Sequence, residues 1–99
     1  AYSQIGDRCF VAPGVITSND NYAGRTKERF DHFKGVTVAT GGRIGAGAVI
    51  CPGKTISADG FAAAGAVVTQ DIPEKIIVAG VPAKELRPVP PEQWLENQE

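Results

Sequence analysis

The sequence predicts an all-β chain wound as a parallel β-helix, a three-sided coil assembled from six-residue units. Three observations carry this reading. An aliphatic residue recurs at every sixth position, a glycine or aspartate stands three places after it, and a small or apolar residue stands four places after it.

Ile44 sets the frame. Stepping by six gives Ile50, Ile56, Ala62 and Val68, and stepping back gives Val38; an upstream block places Ile5, Val11 and Thr17 in the same role. Seven of these nine positions are Ile or Val. The residues three places on are Arg8, Gly14, Asp20, Gly41, Gly47, Gly53, Asp59, Gly65 and Asp71. All but Arg8 are of types that tolerate left-handed backbone or tight turns. Four places on stand Cys9, Val15, Gly42, Ala48, Gly60, Ala66 and Ile72, with Asn21 and Lys54 as exceptions.

An α-helix would need a period near 3.6 residues, and these glycines would weaken it. Ordinary strands would alternate with period two over longer runs. A short strand followed by a corner fits the six-residue unit, and three units close one coil of 18 residues. The frame residue then points inward and stacks on its equivalents, each coil touching only its neighbours. Lys54 takes an inward position, where a lone ammonium is costly; a corner is expected to let its head reach water.

Residues 5–22 supply nearly one coil. Ser3 fits the small position of a preceding unit, so the chain is expected to begin inside a repeat and to have lost upstream coils. Thr17 and Val38 are 21 residues apart, not a multiple of six. The charge-rich stretch between them, residues 23–35 (AGRTKERFDHFKG), is read as a loop ejected from a corner. Long loops in compact domains are often functional.

Residues 38–73 give two uninterrupted coils, residues 75–79 a last strand, and Gly80-Val81-Pro82 a turn. Pro88, Pro90 and Pro91 stop regular pairing. The tail PEQWLENQE is expected to form a short helix with Pro91 in its first turn, docked through Trp94 and Leu95 on the prism or on a neighbouring chain. The division is therefore a β-helix domain over 1–87 with the loop insertion at 23–35, and a tail over 88–99. Open ends and flat faces lead to the expectation of a homotrimer.

Composition narrows the partners. A formal net charge of −1 exerts no global pull toward nucleic acid or an anionic membrane. No run of about 18 apolar residues could span a bilayer, no signal peptide is visible, and a cytoplasmic location is expected. The two cysteines, Cys9 and Cys51, make neither a disulfide framework nor a zinc set, so no metal is expected and both are read as buried or half-buried thiols.

Residues 43–84, RIGAGAVICPGKTISADGFAAAGAVVTQDIPEKIIVAGVPAK, resemble the C-terminal signature of hexapeptide-repeat acyltransferases. The order of parts is similar too: repeats, an ejected loop, more repeats, a T-x-D-x-P turn at 69–73 and a G-x-P-A-K turn at 80–84. The segment Thr17-Ser18-Asn19-Asp20-Asn21-Tyr22 looks like the T-N-D-x-Y segment of relatives that N-acetylate nucleotide-linked amino sugars.

The resemblance implies a left-handed coil, although crossovers between parallel strands are normally right-handed. It also implies acetyl-CoA as the acyl donor, held in a groove between adjacent prisms of a trimer. It matches Ala46 and Ala64 to positions whose backbone holds the pantetheine arm, and Gly65 and Ala66 to the close-approach segment beside it. Thr69 and Gln70 match a pair near the adenine end, Gln70 standing where Lys is often found. Lys84 and Arg87 match basic positions that meet the CoA phosphates.

Acyl transfer to an amine or hydroxyl needs positioning and a base. His32, the only histidine, lies in the ejected loop and has suitable basicity near neutral pH; Asp31 or Asp20 is available to orient it. Alternatively Asp20 and Asn19 contact the acceptor directly, Asp20 accepting from an amine and Asn19 orienting a carbonyl or hydroxyl. Arg25, Lys27 and Arg29 are placed to steer a nucleotide diphosphate. The expected activity is acetyl transfer to a sugar or nucleotide-sugar. A γ-class carbonic anhydrase, which shares this fold, would need three zinc-binding histidines. A non-catalytic β-helical scaffold is the remaining alternative.

Overall fold

The structure is a computed structural model that describes residues 1–98. Nine two-residue strands form the sides of a prism: β1 (Gln4–Ile5), β2 (Phe10–Val11), β3 (Ile16–Thr17), β4 (Thr37–Val38), β5 (Arg43–Ile44), β6 (Val49–Ile50), β7 (Thr55–Ile56), β8 (Phe61–Ala62) and β9 (Val67–Val68). A hairpin of β10 (Ile76–Ala79) and β11 (Lys84–Pro88) follows. The first face stacks β1, β4 and β7; the second stacks β2, β5, β8, β10 and β11; the third stacks β3, β6 and β9. All pairings are parallel except that of β10 with β11.

The six-residue frame appears as vertical columns. Ile5 lies beside Val38 and Val38 beside Ile56; Val11 beside Ile44 and Ile44 beside Ala62; Thr17 beside Ile50 and Ile50 beside Val68. Val38, Ile44, Ile50, Ile56, Ala62 and Val68 are buried, as are Ala48, Ala66 and Ile72 from the small-residue position. At the bottom of the columns Ile5 and Val11 are 53% and 48% exposed, since among the described residues no coil stacks on that side of them.

The corners show why glycine and aspartate recur. Gly14, Gly41, Gly47, Gly53 and Gly65 all have φ between 71° and 76°, and Asp59 has φ 57°. Arg8, the exception by residue type, adopts the same left-handed corner with φ 53°. Asp20 and Asp71, where the coiling is interrupted or shortened, do not. Gly42 is required for space: a Cβ there would stand 2.5 Å from Val38 Cγ1 and 3.3 Å from Ile56 Cγ2. Lys54 is half-buried rather than enclosed, and Lys34 of the inserted loop passes over the neighbouring Gly53 corner.

After Val68 the chain leaves the six-residue step: Ile72 joins the column by pairing with Ile56, and Val78 follows beside Ala62. One expectation needs correction. The tail is not one helix but two single 3₁₀ turns, Pro91–Gln93 and Leu95–Asn97, with extended Trp94 between them. Eight residues with no internal core are too few to sustain an α-helix. They take their shape from the prism instead: Leu95 N–H donates to Asp59 Oδ1 at 2.9 Å, and Trp94 Nε1 to the Val89 carbonyl at 3.0 Å. The expected tail runs to Glu99, which lies outside the described residues.

Candidate active site along the third face

The third face, β3–β6–β9, has a candidate cluster on each of its two edges. The edge entering it stacks the corners Pro13-Gly14, Ala46-Gly47 and Ala64-Gly65. Gly47 N–H donates to the Pro13 carbonyl at 3.1 Å, and Gly65 N–H to the Ala46 carbonyl at 2.9 Å. Ala46, Gly47, Ala64 and Gly65 are exposed, while Ala66 turns into the core. Gly45 lets these corners close up, since a Cβ on it would lie 2.6 Å from Ala64 N. The edge therefore presents backbone with only methyl groups beside it, a surface that a long flexible ligand can approach closely.

Thr69 and Gln70 follow β9 on the other edge. With Lys84, Pro82 and Glu85 from the hairpin they line a cavity of about 330 Å³. Ala83 N–H donates to the Val67 carbonyl at 2.9 Å, which fixes the hairpin turn above the third face. Arg87 lies further along β11, opposite Ile77, exposed and outside the cavity lining.

The inserted loop leaves from this same edge. Because Thr17, Ile50 and Val68 share a column, Asn19 and Thr69 start from one edge two strand spacings apart, roughly 10 Å. The loop holds a 3₁₀ helix, Lys27–Asp31, and is pinned at its root. Asp20 Oδ1 accepts from Tyr22 N–H at 2.9 Å, Asp20 Oδ2 accepts from Gly24 N–H at 2.8 Å, and Arg29 Nη1 stands 3.5 Å from Oδ2. Desolvation works against the Asp20 charge, but the Gly24 and Tyr22 N–H groups and the Arg29 guanidinium outweigh it and hold its carboxyl below the ordinary aspartate range. The Asn19 carbonyl accepts from Lys34 N–H at 3.0 Å where the loop returns.

His32 caps the 3₁₀ helix, its N–H donating to the Arg29 carbonyl at 3.0 Å. Its ring is exposed and lies 6.0 Å from the Tyr22 ring. The structure thus brings Asn19, Asp20 and His32 into one loop, and the coenzyme-matched residues onto the face and hairpin beside it. Tyr22 is a site neighbour that sequence reasoning left without a role. The contact joins two points of an aperiodic loop, for which no spacing rule exists. Among the described residues no cluster of three or more His, Cys, Asp or Glu side chains could hold a metal ion, and no helix is long and apolar enough to cross a membrane.

A three-sided coil of six-residue units with an edge of exposed corners defines the class, a hexapeptide-repeat parallel β-helix, and comparison with known proteins supplies its relatives. No protein-family model matches the chain. The galactoside O-acetyltransferase of Escherichia coli strain K12 is 33% identical over 88 residues, covering 86% of this chain and 43% of that protein. A putative acetyltransferase of Saccharomyces cerevisiae is 36% identical over 88 residues, covering 86% of this chain and 45% of that protein. Among solved structures, a galactoside acetyltransferase in complex with coenzyme A matches with a TM-score of 0.69 at 31% identity, over 89% of this chain and 46% of that one. A serine acetyltransferase from Brucella abortus matches with a TM-score of 0.73 at 27% identity, over 90% and 33% respectively. The homologues and structural neighbours of this chain are hexapeptide-repeat acetyltransferases, and its fold is their left-handed parallel β-helix. The chain spans less than half the length of the two sequence relatives.

Proposed function

We propose that this chain is the coenzyme-binding part of an acetyl-CoA-dependent acyltransferase that acetylates an amine or hydroxyl of a sugar or nucleotide-linked sugar. The observation that carries the reading is the arrangement of one face: a ladder of exposed backbone corners on one edge, and a lysine-lined cavity on the other edge, from which the histidine-bearing loop also leaves. A galactoside acetyltransferase of similar structure is in complex with coenzyme A. The donor chemistry of this chain fits such a ligand: Ala46, Ala64 and Gly65 offer close backbone approach to a pantetheine arm, whereas Ala66, buried and with its N–H donating to the Ala63 carbonyl, supports the corner from within. Thr69, Gln70 and Lys84 offer hydroxyl, amide and ammonium donors at the cavity, and Arg87 a guanidinium further along the hairpin.

In this reading coenzyme A supplies the activated acetyl group, and the chain contributes positioning and proton handling. The bond from the acceptor nitrogen or oxygen to the acetyl carbon forms as the carbon–sulfur bond breaks. His32 takes the acceptor proton, which then passes to the departing thiolate. Asp20, whose oxygens are already engaged by three donors, serves to hold the loop, and Asn19 to orient the acceptor.

The outward residues of the third face, Ile16, Val49 and Val67, form an aliphatic strip, whereas those of the first face are Gln4, Thr37 and Thr55. A homotrimer that covers this strip would place a neighbouring prism beside both clusters. A cytoplasmic location suits a reaction that draws on acetyl-CoA.

The test combines binding with turnover. The full protein is titrated with acetyl-CoA in a thermal-shift assay. It is then assayed for thiol release against galactosides, free amino sugars and nucleoside-diphosphate amino sugars. Binding to the folded state alone would stabilise it by about 2.7 kcal/mol at a hundredfold excess over Kd. Thiol release with one acceptor class names the substrate. No thermal shift at millimolar acetyl-CoA would favour the scaffold.

A further inference from the structure

We propose that Arg29 is the positioning residue of the inserted loop, clamping the loop to the prism so that the His32 imidazole is held at the third-face edge. The inference rests on the loop being the acceptor-side element of the proposed acyltransferase, and it adds a residue to which only diphosphate steering had been assigned.

Arg29 makes contacts of three kinds that no other loop residue combines. Its guanidinium is 3.5 Å from Asp20 Oδ2, at the root where the chain leaves the prism. The same guanidinium lies 4.3 Å from the Phe30 ring centroid and 5.6 Å from that of Phe33, a placement that favours a cation over aromatic faces. Its backbone carbonyl accepts the His32 N–H at 3.0 Å. The side chain is only 27% exposed, although the residues before it in the 3₁₀ helix are exposed.

The two aromatic rings belong to a wider stack. Phe30 meets Phe33 edge-on at 5.8 Å, and Phe33 stacks on Tyr2 at 6.1 Å. One planar cation thus joins the carboxylate that organises the outgoing strand to the rings that carry the loop back. His32 lies between those rings in sequence, with Tyr22 beside its own ring. A guanidinium suits this task because it is planar and presents several donors in a fixed geometry, whereas an ammonium is a point charge on a flexible stem. Arg29→Lys is therefore not conservative here. Held in this way, Arg29 faces the loop and not the solvent, which distinguishes it from the exposed Arg25 and Lys27.

Because His32 is the only histidine, its imidazole signals in a nitrogen–proton correlation spectrum report its environment without ambiguity. In the full protein, Arg29→Met is expected to move these signals to the position of a free, mobile histidine, Arg29→Lys to move them part of the way, and added guanidinium at a non-denaturing concentration to restore them in Arg29→Met. Acetyl-CoA affinity, read by thermal shift, stays unchanged. In the thiol-release assay with the acceptor panel, kcat falls on the order of 100-fold while the KM for acetyl-CoA holds, the scale of a misplaced catalytic group.

An Arg29→Met spectrum that superimposes on that of the unmodified protein overturns the proposal. So does a fall in turnover with the His32 signals unmoved, which would assign Arg29 to acceptor contact instead. The base assignment fails separately: a His32→Gln variant with full turnover removes His32 from the chemistry, while the spectrum still decides whether Arg29 holds it.

Discussion

Asp20 holds a negative charge around which the start of the loop is organised. Its two oxygens accept from Tyr22 and Gly24 and stand beside Arg29, and these partners keep its carboxyl below the ordinary aspartate range against the cost of desolvation. A lowered value in the folded loop means that the anchoring is fully present above the unfolded value near ~4 and is lost as pH falls through the lower folded value. The Tyr22 and Gly24 amide shifts should therefore move toward those of an open loop only below about pH 4, and Asp20→Asn should abolish that acid-dependent step. Amide shifts at these two positions that are flat through the acid range would contradict the assignment. Gly42 answers to packing instead. A Cβ there would press on Val38 Cγ1 at 2.5 Å, so Gly42→Ala should lower stability by about 1–3 kcal/mol in urea denaturation.

At the scale of elements, the corner is the unit that sequence reads best. The residue three places after the frame position adopts the left-handed corner at seven of the nine units, even where it is Arg8, and fails to do so only at Asp20 and Asp71, where the coiling is interrupted or shortened. The fourth coil escapes the pattern because a strict step of six from Val68 would carry Glu74 into the column. A carboxylate among aliphatic side chains is costly to bury, and the chain drops two residues so that Ile72 fills the place instead. The charge of Glu74 was there to be read. The loop and tail were not legible in the same way, since neither has a period. Their form comes from contacts distant in sequence, such as Asp59 with Leu95 and Asp20 with Arg29. Trp94, the only tryptophan, packs under Lys75 at 4.0 Å and reports tail docking directly. Asp59→Gly removes the acceptor for Leu95 N–H while keeping the left-handed corner, and should red-shift Trp94 fluorescence as the tail lifts, with little change in the unfolding of the prism. An unchanged emission spectrum would show that the tail does not depend on that bond.

For the whole molecule, stability resides in columns shared by adjacent coils, so a truncation in the middle is felt more than one at the open end. Ile50→Ala, at a fully buried site, should cost about 2–5 kcal/mol; Ile5→Ala, half exposed, should cost clearly less in the same denaturation experiment. The outward strip of Ile16, Val49 and Val67 belongs to the same scale. If a homotrimer covers it, Val49→Glu buries a charge at the interface and should yield monomers in analytical ultracentrifugation while leaving the coil folded. An unchanged sedimentation coefficient would place the interface elsewhere.

Hydrogen exchange of the full protein with and without acetyl-CoA tests the central claim most directly, since every functional statement depends on the ligand lying along the third face. The account predicts new protection at residues 64–66, at Thr69 and Gln70, and around Lys84. Protection confined to the opposite edge, at Arg8, Gly41 and Asp59 beneath the tail, would contradict it, as would no protection at saturating acetyl-CoA.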